Sequence, residues 1–415
     1  MIPDLPRSAA PRISRACVSC GNREWHIVHA NRVAAIAGLD LGYDVVECAG
    51  CGANFADRLA PEADYAAYYR SCSKYDNIAD PAQVPTVDLR RAACAVELVK
   101  THAATARRVL DLGCGSGVLL AQFDRAGFSS ACGIDPAPNA PASAQRLFGL
   151  QGVRQGTIDA VTDHFQPGDF DVICMTGVLE HLLEPAMVLR RIGAGLARGA
   201  RLLIEVPSLE HFARAPLEPY GEFSLEHVNF FSRRSLLELA RRSGLRPVAS
   251  AVVELWPAAS DSLYLLLEQG PSDAEMPAAQ RHMADYLEAS SSALQPVLAR
   301  ASAAIAAGEA VLWGAGSHSA RLLPALEDLG LGGGVRAVLD SNPNLQGRSF
   351  GRHQVQSPDT LRQYPQATVI VSSFRSSARI AQGLRARVAN PVCELYAPLA
   401  SAAGGAMPGE LRDPS

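Results

Sequence analysis

The chain has 415 residues, 48% of them apolar and 19% charged, which excludes a globally disordered polypeptide. At about 100–200 residues per domain, that length provides for two to four domains. A formal net charge of −4 excludes nucleic-acid binding driven by overall charge, and no apolar run approaches the roughly 18–20 residues of a membrane helix, so a soluble protein with neither nucleic-acid nor membrane partners is expected.

Residues 1–16, MIPDLPRSAAPRISRA, read as a flexible arm without the apolar core of a secretory signal. Two CxxC pairs follow, Cys17-Val-Ser-Cys20 and Cys48-Ala-Gly-Cys51, within an expected zinc-binding domain over 17–80. A CxxC turn sets two thiolates on one side of an ion, and two such turns complete a tetrahedral, structural zinc site. Gly21 and Gly52 follow the pairs directly, as tight turns require. His26 and His29 lie between the pairs as substitute ligands, and buried or redox-active thiols are the alternative reading. Cys72, Cys94, Cys114, Cys132, Cys174 and Cys393 are scattered singly, as expected of a chain kept reduced in the cytoplasm.

Residues 81–270 alternate strand-like runs with helix-like segments, which predicts a mostly parallel α/β sheet. The strands are RRVLDL, SACGID, FDVICM, RLLIEV, PVASAVVEL and SLYLLLE, the last two forming an antiparallel edge hairpin. The sharpest signal is VLDLGCGSG: a buried strand ends in Asp111, and Gly113, Gly115 and Gly117 then let the backbone turn tightly beside a ligand. Asp135 closes the next strand, where an acid accepts hydrogen bonds from a ribose diol. An acid at the head of the loop sits badly beside a pyrophosphate. It suits a cationic amino group, such as the methionine part of S-adenosylmethionine.

These residues carry a family resemblance. VLDLGCGSG with GID downstream, followed by FDVICMTGVLEHLLEPAMVLRRIGAGLARGARLLIEVP, resembles the core of class I S-adenosylmethionine-dependent methyltransferases. The resemblance implies that Asp111, Gly113, Gly115, Gly117 and Asp135 bind the cofactor. It also places Asp159 near the adenine, sets Met175 and Thr176 along the cofactor pocket, and starts a helix near VLEHL.

The stretch after Pro207, SLEHFARAPLEPYGEFSLEHVNFFSRRS, follows a strand end and so roofs the crevice. Methyl transfer is an in-line displacement that needs a positioned nucleophile and often a base. His227 is the preferred base, Glu226 its orienting group or substitute, Tyr220 a hydrogen-bond donor to substrate, and His181 a further pocket candidate. The alternative is that EHVNFFS only docks a helix capped by Ser232.

Residues 271–308 are alanine-rich and predict a connecting helix pair broken near Pro296. A second α/β unit spans 309–400, with AVLWGAG, VRAVLD and TVIVSS as strands, and residues 401–415 form an expected disordered tail. LWGAGSHSA with Asp340 downstream is a partial dinucleotide fingerprint in which Ser319 holds the third glycine position. Three readings stay open here: NAD binding with oxidoreductase activity, binding of the phosphates of a nucleotide-linked substrate at a helix N-terminus, or a scaffold without ligand. In the second, Gly314, Gly316, His318 and Arg348 contact the substrate.

The order of the three parts resembles sugar C-methyltransferases, which methylate nucleotide-linked keto-sugars beside the ketone. The resemblance implies a class I methyltransferase Rossmann-like core, a small N-terminal zinc-binding domain and a C-terminal Rossmann-like domain. Glu226-His227 matches that family's catalytic pair, whereas Ser224 stands where its Tyr is expected. O- or N-methylation of another natural-product or glycan substrate is the alternative.

Overall fold

The computed structural model describes residues 10–71, 80–214, 218–256, 258–374 and 376–396. Residues 1–9 of the expected arm, Cys72 with the end of the tyrosine-rich stretch, and the expected tail lie outside the described residues.

The first unit is built from β1 (Trp25–Asn31), β2 (Tyr43–Cys48), β3 (Asn54–Asp57) and α1 (Glu62–Ser71). Its three strands pair antiparallel in sequence order. One CxxC turn precedes β1 and the other joins β2 to β3, so both meet at the Cys48 end of β2.

The second unit runs α2 (Thr86–His102), β4 (Arg108–Leu112), α3 (Val118–Arg125), β5 (Ser130–Asp135), α4 (Ala140–Phe148), β6 (Val153–Gln155), β7 (Val172–Thr176), α5 (Pro185–Gly195), β8 (Arg201–Pro207), β9 (Asn229–Phe230), α6 (Arg233–Arg242), β10 (Leu245–Val253) and β11 (Ser262–Gln269). Its seven-stranded sheet has the order β10-β11-β8-β7-β4-β5-β6. β4 to β8 run parallel, and β11 is antiparallel to both neighbours, as the edge hairpin predicts. Alternate residues of β4 face different layers: Leu110 joins one apolar cluster and Val109 another. Both are fully buried, and each such side chain contributes roughly 1.5–3 kcal/mol. β4 and β7 are adjacent at the sheet centre, where the connections diverge, so their carboxyl ends open a crevice.

β9 leaves this unit and extends the N-terminal sheet, Phe55 facing Asn229 across the β3–β9 pair. The segment before it, which holds Glu226 and His227, is therefore suspended between two sheets.

A single helix, α7 (His282–Ala306), connects to the third unit. The expected break at Pro296 does not occur. Pro296 and Ser292, whose carbonyl loses its helical partner, both lie on the exposed face, while Met283, Tyr286, Val297 and Ala301 are buried.

The third unit comprises β12 (Ala310–Trp313), α8 (Ser317–Asp328), β13 (Val335–Leu339), β14 (Ser349–Phe350), β15 (His353–Gln356), β16 (Thr368–Val371), α9 (Ser377–Arg385) and β17 (Val392–Glu394). Its six-stranded sheet, in the order β14-β15-β13-β12-β16-β17, is parallel except for β14. The N-terminal unit reaches it through Ala34 N donating to Ala320 O and Gly351 N to Ala35 O. No described helix is long and apolar enough to cross a membrane.

Candidate active site

β4 delivers Asp111 to the crevice, 1% exposed. Its Oδ1 is buried with no hydrogen-bond partner among the described residues. Burial, then the neighbouring Asp135 charge, pushes the Asp111 carboxyl up to about 8. A carboxylate left unpartnered in this way is costly unless a cation completes it. The loop beyond is anchored from below: Gly113 N and Cys114 N both donate to Ile134 O, and Gly115 N donates to Asp135 Oδ2 at 2.7 Å. Asp135 Oδ1 accepts from Ala137 N at 2.9 Å. Asp135 thus holds the loop, and its remaining lone pairs are what a diol would meet. Gly113 has φ +83°, and a Cβ there would lie 2.5 Å from Val178, so only glycine fits. Gly117 instead packs on α4 and the residues after it, where a Cβ would meet Ala144 at 3.3 Å and Leu150 at 2.8 Å.

A pocket of about 110 Å³ opens at this loop, lined by Asp88, Arg91, Asp111, Ser116, Thr176 and Tyr264 among others. Thr176 lines it as expected. Met175 does not, because strand alternation turns it into the cluster with Leu110, Ile173 and Ile204. Gly156 N donates to Asp135 O, which brings the Asp159 segment beside Asp135, but the Asp159 carboxylate is exposed and paired with Arg191 at 3.0 Å.

The pocket wall opposite the loop escaped sequence reasoning. Arg91 Nε donates to Glu205 Oε1 at 3.0 Å, and its Nη2 pairs with Oε2. Glu205 is fully buried and also accepts from Ser262 Oγ, while Tyr264 OH donates to the Arg91 carbonyl at 3.0 Å. Arg91 lies on α2, between the CxxC pairs and the first glycine loop; the one available signal was Glu205, an acid inside an apolar strand.

The expected helix at VLEHL is a 3-10 turn, Leu179–His181, and α5 starts later with Pro185 in its first turn. His181 Nδ1 lies 3.0 Å from Glu226 O, which can only accept, so Nδ1 carries a proton. The His181 and His227 rings meet edge to face at 4.8 Å. Glu180 Oε1 lies 3.9 Å from His181 Nε2. Ser224 Oγ accepts from Glu226 N at 3.3 Å and His227 N at 3.0 Å, so it shapes the turn that presents this pair. His181, Glu226 and His227 are thus brought together. Tyr220 belongs elsewhere: at φ +55° its ring stacks on His29 at 4.6 Å, against the N-terminal sheet. Ser232 does cap α6, its side chain accepting from Ser235 N.

The four cysteine Sγ atoms lie within 4.8 Å of one another. Cys17 and Cys51 are 3.6 Å apart, Cys20 and Cys48 3.5 Å. With Zn–S near 2.3 Å, a tetrahedron has sulfur–sulfur edges of about 3.8 Å, so the donor set matches zinc in type, number and size. The two turns repeat one another: Gly21 N donates to Cys17 O, and Gly52 N to Cys48 O. The histidines are not part of the group; His29 stacks on Tyr220, and His26 lies exposed 4.0 Å from Glu47.

The second glycine loop also rests on an acid: Ala315 N donates to Asp340 Oδ2 and Asn342 N to Oδ1, both at 2.7 Å. The expectation of substrate contact at His318 is not met by its geometry. Its Nδ1 lies 2.7 Å from Ser372 Oγ and its Nε2 is bonded to Tyr396 OH, and burial holds the imidazole neutral by lowering it to about 3. Ser319 replaces the third glycine with a purpose, its Oγ donating to Gly314 O at 2.5 Å. Gly314 has φ +110° and runs against Ser372 O, whereas a Cβ at Gly316 would meet nothing within 4 Å. Arg348 has Nε and Nη1 buried without a partner among the described residues.

Residues 86–250 match a family described as "Methyltransferase domain". The ubiquinone biosynthesis O-methyltransferase of Bordetella parapertussis is 32% identical over 168 residues, covering 36% of this chain and 67% of that protein. The enzyme of the same name from Nitrosococcus oceani is 34% identical over 113 residues, 26% of this chain and 47% of that protein. Among solved structures, the 1,6-didemethyltoxoflavin-N1-methyltransferase of Burkholderia thailandensis, with 1,6-didemethyltoxoflavin and S-adenosylhomocysteine bound, has a TM-score of 0.40 at 22% identity, covering 60% of this chain and 99% of that one. The chain belongs to the class I S-adenosylmethionine-dependent methyltransferases.

Proposed function

We propose that the enzyme methylates a nucleotide-linked sugar beside its ketone. In this reading S-adenosylmethionine lies in the crevice at residues 111–117. The observation that carries the placement is the unpartnered, buried Oδ1 of Asp111 at the head of the loop. That oxygen suits the cofactor's ammonium group, Asp135 its ribose hydroxyls, and Thr176 the pocket wall. Arg91, whose charge is already matched by Glu205, closes the opposite side. When bound, the cofactor supplies an electrophilic methyl on a sulfonium. His227 accepts the proton from the acceptor carbon, with His181 edge-on to it and Glu226 holding the His181 tautomer through its carbonyl.

The four cysteines hold a structural zinc in a domain over residues 17–80, the core spans 81–270, and the Rossmann-like unit over 309–400 contacts the nucleotide through Gly314, Gly316 and Arg348. Support comes from the tetrahedral sulfur spacing and from the buried, unpartnered guanidinium nitrogens of Arg348. Metal analysis of purified protein should return one zinc per chain; a metal-free, fully reduced and folded protein would remove that assignment.

A second reading is O-methylation, favoured by the names of the relatives in Bordetella and Nitrosococcus. Incubation with labelled cofactor and parallel panels of nucleotide sugars and small hydroxylated aromatics, followed by mass spectrometry, separates the two. Label on a sugar carbon supports the first; label only on a hydroxyl oxygen rejects it.

A further inference from the structure

Arg15, two residues before the first cysteine, is 6% exposed. All five of its guanidinium N–H donors are spent. Nε and Nη2 donate to Ala56 O at 3.1 and 2.7 Å, and Nη2 also donates to Val228 O at 2.7 Å. Nη1 donates to Leu183 O at 2.9 Å and to Asn229 Oδ1 at 3.2 Å. The backbone N of Arg15 donates to Asp57 Oδ1 at 2.8 Å. These acceptors belong to three chain segments: β3 of the cysteine unit, the turn just after His181, and the residues just after His227.

The last two segments are also stitched to each other. Asn229 Nδ2 donates to Leu179 O and Leu182 O at 2.9 and 2.8 Å, and Val228 N donates to Glu180 O at 2.8 Å. The link to β3 is completed by Ala56 N donating to Val228 O at 2.9 Å.

We infer that Arg15 is a positioning residue: it ties the four-cysteine unit to the two segments carrying His181 and His227, and so sets the placement of both imidazoles. This rests on the proposed role of that histidine pair. A planar fork spanning four oxygens is specific to arginine; the three donors of a lysine radiate from one nitrogen and cannot reach the same set. The cysteine unit thereby acts on the reaction without touching cofactor or substrate. A displacement of about 1 Å at a reacting group can cost on the order of 10²-fold in rate.

The test uses the full chain with Arg15→Lys and Arg15→Ala, the latter with and without added guanidinium ion. Three readouts are taken: turnover, S-adenosylhomocysteine affinity, and NMR titration of the His181 and His227 ring protons. The expected result is a fall in kcat of about 10²-fold with affinity within twofold of wild type, both titrations displaced, and partial recovery of Arg15→Ala in guanidinium. Normal kcat with unmoved titrations in a folded variant overturns the inference. Should both variants fail to fold, Asn229→Ala removes one Arg15 acceptor and two stitches, and must move the same titrations. The NMR readout stands apart from the catalytic reading: if His227→Ala retains turnover, that reading fails, while displaced titrations in the Arg15 variants still support positioning.

Discussion

The two glycine loops of this protein are built alike and filled differently. In each, a strand ends in a tight turn, and an acid at the end of the neighbouring strand accepts one N–H from the loop and one from two residues ahead of itself. Asp135 does this for Gly115 and Ala137, Asp340 for Ala315 and Asn342. That pair of bonds is therefore a property of the scaffold. The difference lies at the head of the loop. The first has Asp111, buried with an oxygen unpartnered among the described residues. The second has no acid there, and the groups around it are spent on one another: Ser319 on Gly314 and Ser372, His318 on Ser372 and Tyr396. The methyl-donor loop is thus marked by an oxygen left unsatisfied at its head, whereas in the third unit the unpartnered donors belong to Arg348 and not to the loop itself.

The largest effect that sharpens this contrast is expected beside the first loop. His227→Ala should lower kcat by ~10²–10⁴ while cofactor affinity holds, measured by steady-state kinetics and calorimetry. Near-normal turnover would clear His227 of the base role. The second effect is in pH. Asp111 holds its proton to about 8 in the free enzyme, and a cationic ligand favours its charged form. Cofactor affinity should therefore rise by up to tenfold per pH unit below about 8 and level off above it, with proton release visible by calorimetry in buffers of different ionisation enthalpy. Flat affinity from pH 6 to 8 would contradict the pairing.

The same carboxyl affects folding. Its native pKa is raised above the ordinary carboxylate value, so the native state keeps the proton longer than the unfolded chain. Its contribution to stability is full below about pH 4 and is lost as pH rises through about 8. Asp111→Asn should flatten that part of the stability profile, read by chemical denaturation across the window; an unchanged slope would locate the dependence elsewhere. The smallest effect belongs to the second loop. Asp340→Ala should destabilise the chain by about 1–3 kcal/mol, because two backbone N–H groups lose their acceptor, and should leave S-adenosylmethionine affinity unchanged. Weakened affinity would mean that the two loops are not independent.

Sequence reasoning reached what local pattern encodes. SACGID spans the residues of β5, the CxxC pairs converge, and the edge hairpin lies at 245–269. Glu226-His227 and His181 stand as separate candidates in the sequence, and in the fold the two imidazoles meet. What sequence reasoning missed depends on contacts between distant segments. Arg91 meets Glu205 across 114 positions, and Arg15 meets Asn229 across 214. Met175 was misplaced by one strand position, which is enough to reverse a face. Tyr220 was drawn away by stacking on His29, and the expected break at Pro296 vanished because that side of α7 is exposed.

The decisive measurement is a calorimetric titration of wild type, Asp111→Asn and Asp340→Asn with S-adenosylmethionine at pH 8. Wild type and Asp340→Asn should bind alike, and Asp111→Asn should bind about 10²-fold more weakly or not at all. Equal affinity in Asp111→Asn and wild type would contradict the assignment of the first loop as the seat of the methyl donor.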